Sequence, residues 1–251
     1  MWIYFLLFLT GFILVHFCKM MRLYLVLMEH GISFPRFVVM YLETTLVNLI
    51  VPFKIGEIFR VLVISKETKH WQVGILSVIT DRFFDTLALC AILIPVDIWY
   101  LGRLSPITWI FLAILFIIVI CYVSLMPTYG YLNRYIIMRK NSPRSMAALR
   151  GLDTIKDWYD FTLDLIRGRF ALITTFSFMG WFFEIGTLAA FATCLKMKFD
   201  VGDFINYIQA IFAFGSSRLL NKYTGISILL MGIAAFIGIV VFMSRPERKV
   251  R

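Results

Sequence analysis

The sequence predicts an all-α, polytopic integral membrane protein with about five spanning helices and two re-entrant or short helical hairpins. Three observations predict it. Of 251 residues, 61% are hydrophobic and only 16% charged, and the mean hydropathy is +0.85, the profile of a chain whose solvent is largely lipid. Several apolar runs approach the roughly 20 residues that cross a hydrocarbon core. The ionisable residues inside those runs are few and clustered, as expected where an isolated charge is expensive. The chain is read as a single membrane domain over 1–251.

The first run, 2–18, lacks a basic leading segment, and no small-residue cleavage site follows it before Lys19. It is therefore read as a spanning helix rather than a cleaved signal. Spanning stretches follow at about 72–101, 106–126, 171–195 and 224–243. The runs at about 37–53 and 204–215 are shorter and fit segments that enter and leave on one side, with their backbone covered by protein or a watery cavity. With both re-entrant, the basic residues sort by side, because cytoplasmic loops carry excess Lys and Arg. Lys19, Arg22, Arg36, Lys54, Arg60, Lys66 and Lys69 fall with the connector and the C-terminal tail. Arg103, Lys196, Lys198, Arg218 and Lys222 fall opposite. The sorting predicts an outside N-terminus and a cytoplasmic C-terminus in the cell (inner) membrane.

The connector at about 131–169 is the one extended polar region. From Leu152 to Ile166, Leu152, Ile155, Trp158, Tyr159, Leu163 and Ile166 recur at helical spacing, while Asp153, Asp157, Asp160 and Asp164 follow another face. This reads as an amphipathic helix at the cytoplasmic surface, packed on loops or on lipid. Cys18, Cys90, Cys121 and Cys194 lie in separate apolar segments without metal-ligand spacing and read as small apolar side chains.

Two charged constellations interrupt the apolar pattern. In the first, Asn48 and Pro52 precede Lys54, Gly56, Glu57 and Arg60. Pro52 ends a helix, and Gly56 permits close backbone approach. A helix starting there brings Lys54 to Glu57 and Glu57 to Arg60 at i to i+3 spacing. The cations suit a lipid phosphate, with Glu57 orienting them, although an interfacial salt-bridge net has the same spacing. In the second, Asp81, Arg82 and Asp85 sit within an apolar helix, Asp81 about 15 Å from its start. Two carboxylates with one guanidinium need a further cation, and Lys54 and Arg60 are the expected partners. A structural ion network and a substrate-handling site both fit. Glu184 is another acid deep in an apolar segment. Asp97 and Glu43 read as residues that reach an interface, and His16, His30 and His70 form no ligand set.

Asn48, Pro52, Lys54, Gly56-Glu57 and Arg60, followed by Asp81-Arg82 and Asp85, resemble the signature of the lysylphosphatidylglycerol synthase transmembrane, or flippase-like, family. The likeness extends from a basic loop at Lys19 to Ser33 downstream to Trp181 and Glu184. The resemblance implies a lipid translocase with hairpins related as a pseudo-inverted repeat around one site. It assigns head-group binding to Lys54, Gly56, Glu57 and Arg60, and a supporting intramembrane network to Asn48, Asp81, Arg82, Asp85 and Glu184. The family's second hairpin usually carries a Pro-Gly-Gly-x-Gly-x-x-Glu element, and here Ala213 to Leu220 holds neither the proline nor the glutamate. In the type member an aminoacyl-transferase domain follows the membrane part, so a chain ending at Arg251 is expected to be a stand-alone membrane domain.

The expected function is translocation of a lipid or polyprenyl-linked lipid in bacterial or archaeal envelope lipid or glycan metabolism. The alternative is a non-catalytic membrane subunit or anchor of a glycosyltransferase or lipid synthase complex. Expected partners are membrane lipids with anionic or polyprenyl phosphate head groups, a membrane glycosyltransferase or synthase, and a second copy in a homodimer, but no nucleic acid. No catalytic residue, metal or cofactor is expected. The chain lacks a Gly-x-Ser-Gly nucleophile, a His-Glu-x-x-His pair, an Asp-Gly-x-x-Ala-Arg element and a Gly-rich phosphate loop.

Overall fold

The structure, a computed structural model, describes residues 2–51, 55–139, 143–213 and 218–244. These form nine α-helices and no strand. They are α1 (Trp2–Leu27), α2 (Phe34–Ile50), α3 (Ile55–Thr68), α4 (Trp71–Leu101), α5 (Pro106–Arg139), α6 (Pro143–Ile166), α7 (Phe170–Cys194), α8 (Val201–Ala213) and α9 (Arg218–Met243). Helices α1, α4, α5, α7 and α9 are long and apolar enough to cross a membrane, which matches the five expected spans. The short runs become the helical hairpin α2–α3 and the short helix α8. Hydropathy underestimated two lengths: α1 continues to Leu27, through Lys19 and Arg22, and α5 continues to Arg139. The basic loop expected from Lys19 is thus mostly helix.

The chain divides into two compact units, residues 1–89 with 171–251, and residues 90–170. In the first, two helices hide charged or polar residues while displaying large apolar ones. Helix α3 buries Gly56, Arg60 and Ile64 on one stripe while Ile58 and Leu62 are 61% and 62% exposed. A helix that hides its arginine and displays its isoleucines is built for an apolar solvent. Helix α7 follows suit, burying Ser177, Glu184 and Thr187 and exposing Leu172 and Phe182. The α2–α3 hairpin is tight because a Cβ on Gly56 would overlap the Cα of Asn48. Gly74 on α4 likewise admits the backbone of Val61 and the side chain of Ser65 on α3. At the open end of the hairpin Arg36 donates from Nε to Glu67 Oε1 at 3.2 Å. That hydrogen bond holds the Glu67 carboxyl below its ordinary value. Its stabilisation is present at neutral pH and is lost as pH falls through the lowered value.

In the second unit Asp97 is fully buried near the end of α4. Its Oδ2 accepts from the Ser105 backbone N–H at 2.8 Å and from Thr108 Oγ1 at 2.6 Å, which fastens the α4–α5 turn to the start of α5. Tyr122 of α5 stacks on Tyr159 of α6 at 4.7 Å, and Tyr129 donates to Asp153 at 2.9 Å. Leu152, Trp158, Tyr159 and Ile166 are partly buried, whereas Ile155 and Leu163 are exposed. The inward face of α6 is therefore narrower than its apolar spacing suggested. Cys18 and Cys90 are buried, Cys194 is partly so, and Cys121 is exposed.

Gly56→Ala should separate α2 from α3 and cost about 1–3 kcal/mol, the usual range for overpacking. Gly225→Ala on α9, where a Cβ meets nothing within 4 Å, should be neutral or stabilising. Thermal unfolding in detergent measures both, and equal midpoints for the two variants would show that the α2–α3 contact does not limit stability.

Candidate functional site

A cavity of about 610 Å³ opens in the first unit. Its polar lining includes His16, Lys19 and Arg22 from α1, Asn48 from α2, Glu57 and Arg60 from α3, Asp81, Arg82 and Asp85 from α4, and Glu184 from α7. Asp81 lies ten positions after the first residue of α4, or about 15 Å along the axis, and Glu57 is at a similar remove from the end of α3. The charges of α3 and α4 therefore converge at about the same distance from the α3–α4 turn.

The shortest contacts come from α1. Arg22 donates from Nε to Asp81 Oδ1 at 2.6 Å and from Nη1 to Asp85 Oδ1 at 2.7 Å. It is 2% exposed, as is Asp81. Its Nη1 also reaches Ser177 Oγ at 3.4 Å. Lys19 donates to Glu184 Oε2 at 2.8 Å, while Tyr207 and Tyr223 donate to Glu184 Oε1 at 2.9 and 3.0 Å. Glu184 is thus satisfied by one cation and two phenols, drawn from α1, α8 and α9. Trp181 donates from Nε1 to the Asp85 carbonyl at 3.2 Å, which ties α7 to α4.

Contacts at α3 are longer. Glu57 accepts from Asn48 Nδ2 at 3.0 Å, but its cations stand off, Arg60 Nη1 at 3.4 Å and Arg82 Nη2 at 3.5 Å. Arg60 reaches Thr45 Oγ1 at 3.4 Å and Asp81 at 3.9 Å. Arg82 also contacts Asp81 at 3.0 Å and Asp85 at 3.5 Å. Among the described residues, the Nε atoms of Arg60 and Arg82 are buried without a hydrogen-bond partner.

The structure thus gathers Asn48, Gly56, Glu57, Arg60, Asp81, Arg82, Asp85 and Glu184 in one unit. Gly56 is at the α2–α3 crossing, where its lack of a side chain matters. Lys54 and Pro52 lie outside the described residues, as do 214–217 of the altered second motif. The expected partner Arg60 does approach Asp81, but Arg22 is the principal cation for both aspartates. No group of histidine, cysteine or carboxylate side chains fit for a metal occurs among the described residues.

The sequence model described as the lysylphosphatidylglycerol synthase TM region matches residues 1–217. The chain belongs to this family. A search of curated proteins and of solved structures finds no match. Membership in the lysylphosphatidylglycerol synthase TM family, with five membrane-crossing helices, makes this a multi-pass membrane protein of lipid metabolism.

In this family member, sequence reasoning missed Lys19 and Arg22 as site residues, and Tyr207 and Tyr223 altogether. One signal was present: His16, Lys19 and Arg22 recur every three residues and share a helical face. The two tyrosines carried none, being aromatic residues in apolar segments.

Lys19→Met and Glu184→Gln should each lower the unfolding midpoint, because the first strands the buried Glu184 and the second leaves the partly buried Lys19 without its carboxylate. The double variant should recover part of the loss, with a coupling of about 0.5–3 kcal/mol. Thermal unfolding of the four proteins in one detergent gives the cycle, and strictly additive losses would contradict a direct pair.

Proposed function

We propose that the protein is a lipid translocase, not an enzyme, whose cavity takes a phosphate-bearing head group between Arg60 and Arg82. The observation that carries this reading is the state of Arg60. It is 4% exposed, it lines the cavity, and among the described residues its Nε has no partner and its polar contacts are all 3.4 Å or longer. A buried guanidinium normally has its donors taken up by short contacts. Phosphate oxygens supply acceptors that match its fork. Arg82, 41% exposed at its side chain, offers the second donor set at the cavity mouth. Lys54 precedes the same helix and joins the proposal on sequence grounds alone.

The proposed topology places the N-terminus outside and the C-terminus in the cytoplasm of the inner membrane. Lys19, Arg22 and Arg60 leave the loop charge count, since they line the cavity, but Arg36, Lys66, Lys69 and the basic residues of 131–169 keep the same sign of asymmetry. A second reading, a membrane subunit or anchor of a glycosyltransferase or lipid synthase, draws on the mutual pairing of the site's acids and bases, which a scaffold also requires.

Reconstituted into vesicles with acyl-labelled phospholipids, the protein should speed the appearance of inner-leaflet label at the outer surface well above protein-free vesicles. Arg60→Gln, checked for an unchanged unfolding midpoint, should slow it at least tenfold. Rates equal to protein-free vesicles for every phospholipid would overturn the translocase. Stoichiometric co-purification of a glycosyltransferase or lipid synthase would then favour the subunit.

A further inference from the structure

Away from the charged cavity, the first unit carries a groove of about 360 Å³ between α2 and α9. It shares no lining residue with the cavity. Phe34 and Val38 form its α2 side, and Ala234, Gly238 and Phe242 its α9 side; every other lining residue is apolar too. The wall is recessed at Gly238, where a Cβ would lie 3.0 Å from Leu42 Cδ1. The helices run antiparallel here, Leu42 against Gly238 and Arg36 against Phe242. From Ala234 to Phe242 the groove follows α9 for about 12 Å. Such a slot offers a polar group no partner along its length, and suits a hydrocarbon chain.

One end of the groove is cationic. There the Arg36 guanidinium stands 5.6 Å from the centre of the Phe242 ring. Its Nε and Nη2 both donate to Glu67 Oε1, which leaves Nη1 free among the described residues, on a side chain 36% exposed. Helix α2 starts at this end with no side-chain cap from Ser33 and no acid in its first turn, so the positive pole of its backbone is uncompensated as well. Glu43 and Glu67 are the acids that act on Arg36, and Lys66 in turn acts on Glu67. Beyond Ser244 the sequence holds Arg245, Arg248, Lys249 and Arg251 against Glu247. A basic cluster next to a membrane helix draws anionic lipid to that leaflet. The same cations repel the ammonium of a choline head group.

We infer that the α2–α9 groove is a binding site for an anionic phospholipid, with one acyl chain along α9 from Phe242 toward Ala234 and the phosphate on Arg36. Apolar length with a cation at one end repeats the polarity of the lipid itself. The site is separate from the cavity, and it stands whether or not the protein translocates lipid.

Photolabelling of the full chain in phosphatidylcholine vesicles tests this, with a trace of either phosphatidylglycerol or phosphatidylcholine made photoreactive in its acyl chain and the label located by peptide mass spectrometry. The exposed residues Phe116 and Ile117 of α5 serve as the internal reference. The ratio of phosphatidylglycerol to phosphatidylcholine label at 34–39 and 234–242 should exceed the ratio at the α5 reference at least fivefold. Gly238→Leu, which fills the groove, should bring it down to the reference. Arg36→Gln combined with Glu67→Gln removes the cation without leaving Glu67 unpaired and should also abolish the excess; it carries the test by itself if Gly238→Leu fails to fold. A wild-type ratio equal to the reference means ordinary boundary lipid only and would overturn the site. An excess that survives in a folded Gly238→Leu protein would overturn the groove as the place of binding. Survival in the double variant would overturn Arg36 as the phosphate partner.

Discussion

Arg22 holds two buried carboxylates at once, Asp81 at 2.6 Å and Asp85 at 2.7 Å, and the rest of the first unit is arranged so that this can happen. Two aspartates one helical turn apart on α4 repel each other and cannot face lipid. A single guanidinium, planar and always charged, bridges both. The bridge requires α1 to run beside α4 with its sixth-from-last residue turned inward, so α1 must continue beyond its apolar core. Once Arg22 is fixed, Lys19 shares its face and meets Glu184 on α7. The apolar side of α1 completes the same register, with Phe8 and Phe12 buried and Phe8 packed on Phe191 at 5.1 Å.

The same constraint explains the hairpin. A chain that enters the bilayer and returns needs each short helix to hide its polar groups on the protein side. Helix α3 does so with one stripe, in which Gly56 permits contact with α2, Arg60 approaches Asp81 on α4, and Ile64 is buried. The exposed isoleucines and leucine on its other side face a solvent that accepts them. The inverted pattern is a consequence of where the hairpin sits and needs no special stability from α3 itself.

Much of this was legible in the sequence, and the limits have physical causes. Span existence follows from apolar length, which is a one-dimensional property, so α1, α4, α5, α7 and α9 all emerge from hydropathy. Local pairs such as Glu57 with Arg60 and Arg82 with Asp85 follow from helical spacing and are present at 3.4 and 3.5 Å. The strongest pairs, Arg22 with Asp81 and Lys19 with Glu184, join residues far apart in the chain. No periodicity can choose among distant cations. Hydropathy also assigns a lysine or arginine near a helix end to the loop, which is why α1 was cut short at the residues that matter most to it. Asp97 shows a related limit: its partners Ser105 and Thr108 lie across a turn, which spacing along one helix does not reveal.

The site is also graded in strength. Ion pairs joining α1 to α4 and α7 are 2.6–2.8 Å, whereas those joining α3 to α4 are 3.5 and 3.9 Å. A ligand displaces an internal ion pair only where its own contacts are better than those it replaces. Uniformly short pairing would make a stable block that admits nothing, and uniformly long pairing would leave the aspartates too costly to bury. Arg22 and Lys19 close the frame with short pairs, while Arg60 has only polar contacts of 3.4 Å or longer among the described residues. The short and the long contacts of the same charge cluster are therefore made by different members, those of α1 and those of α3.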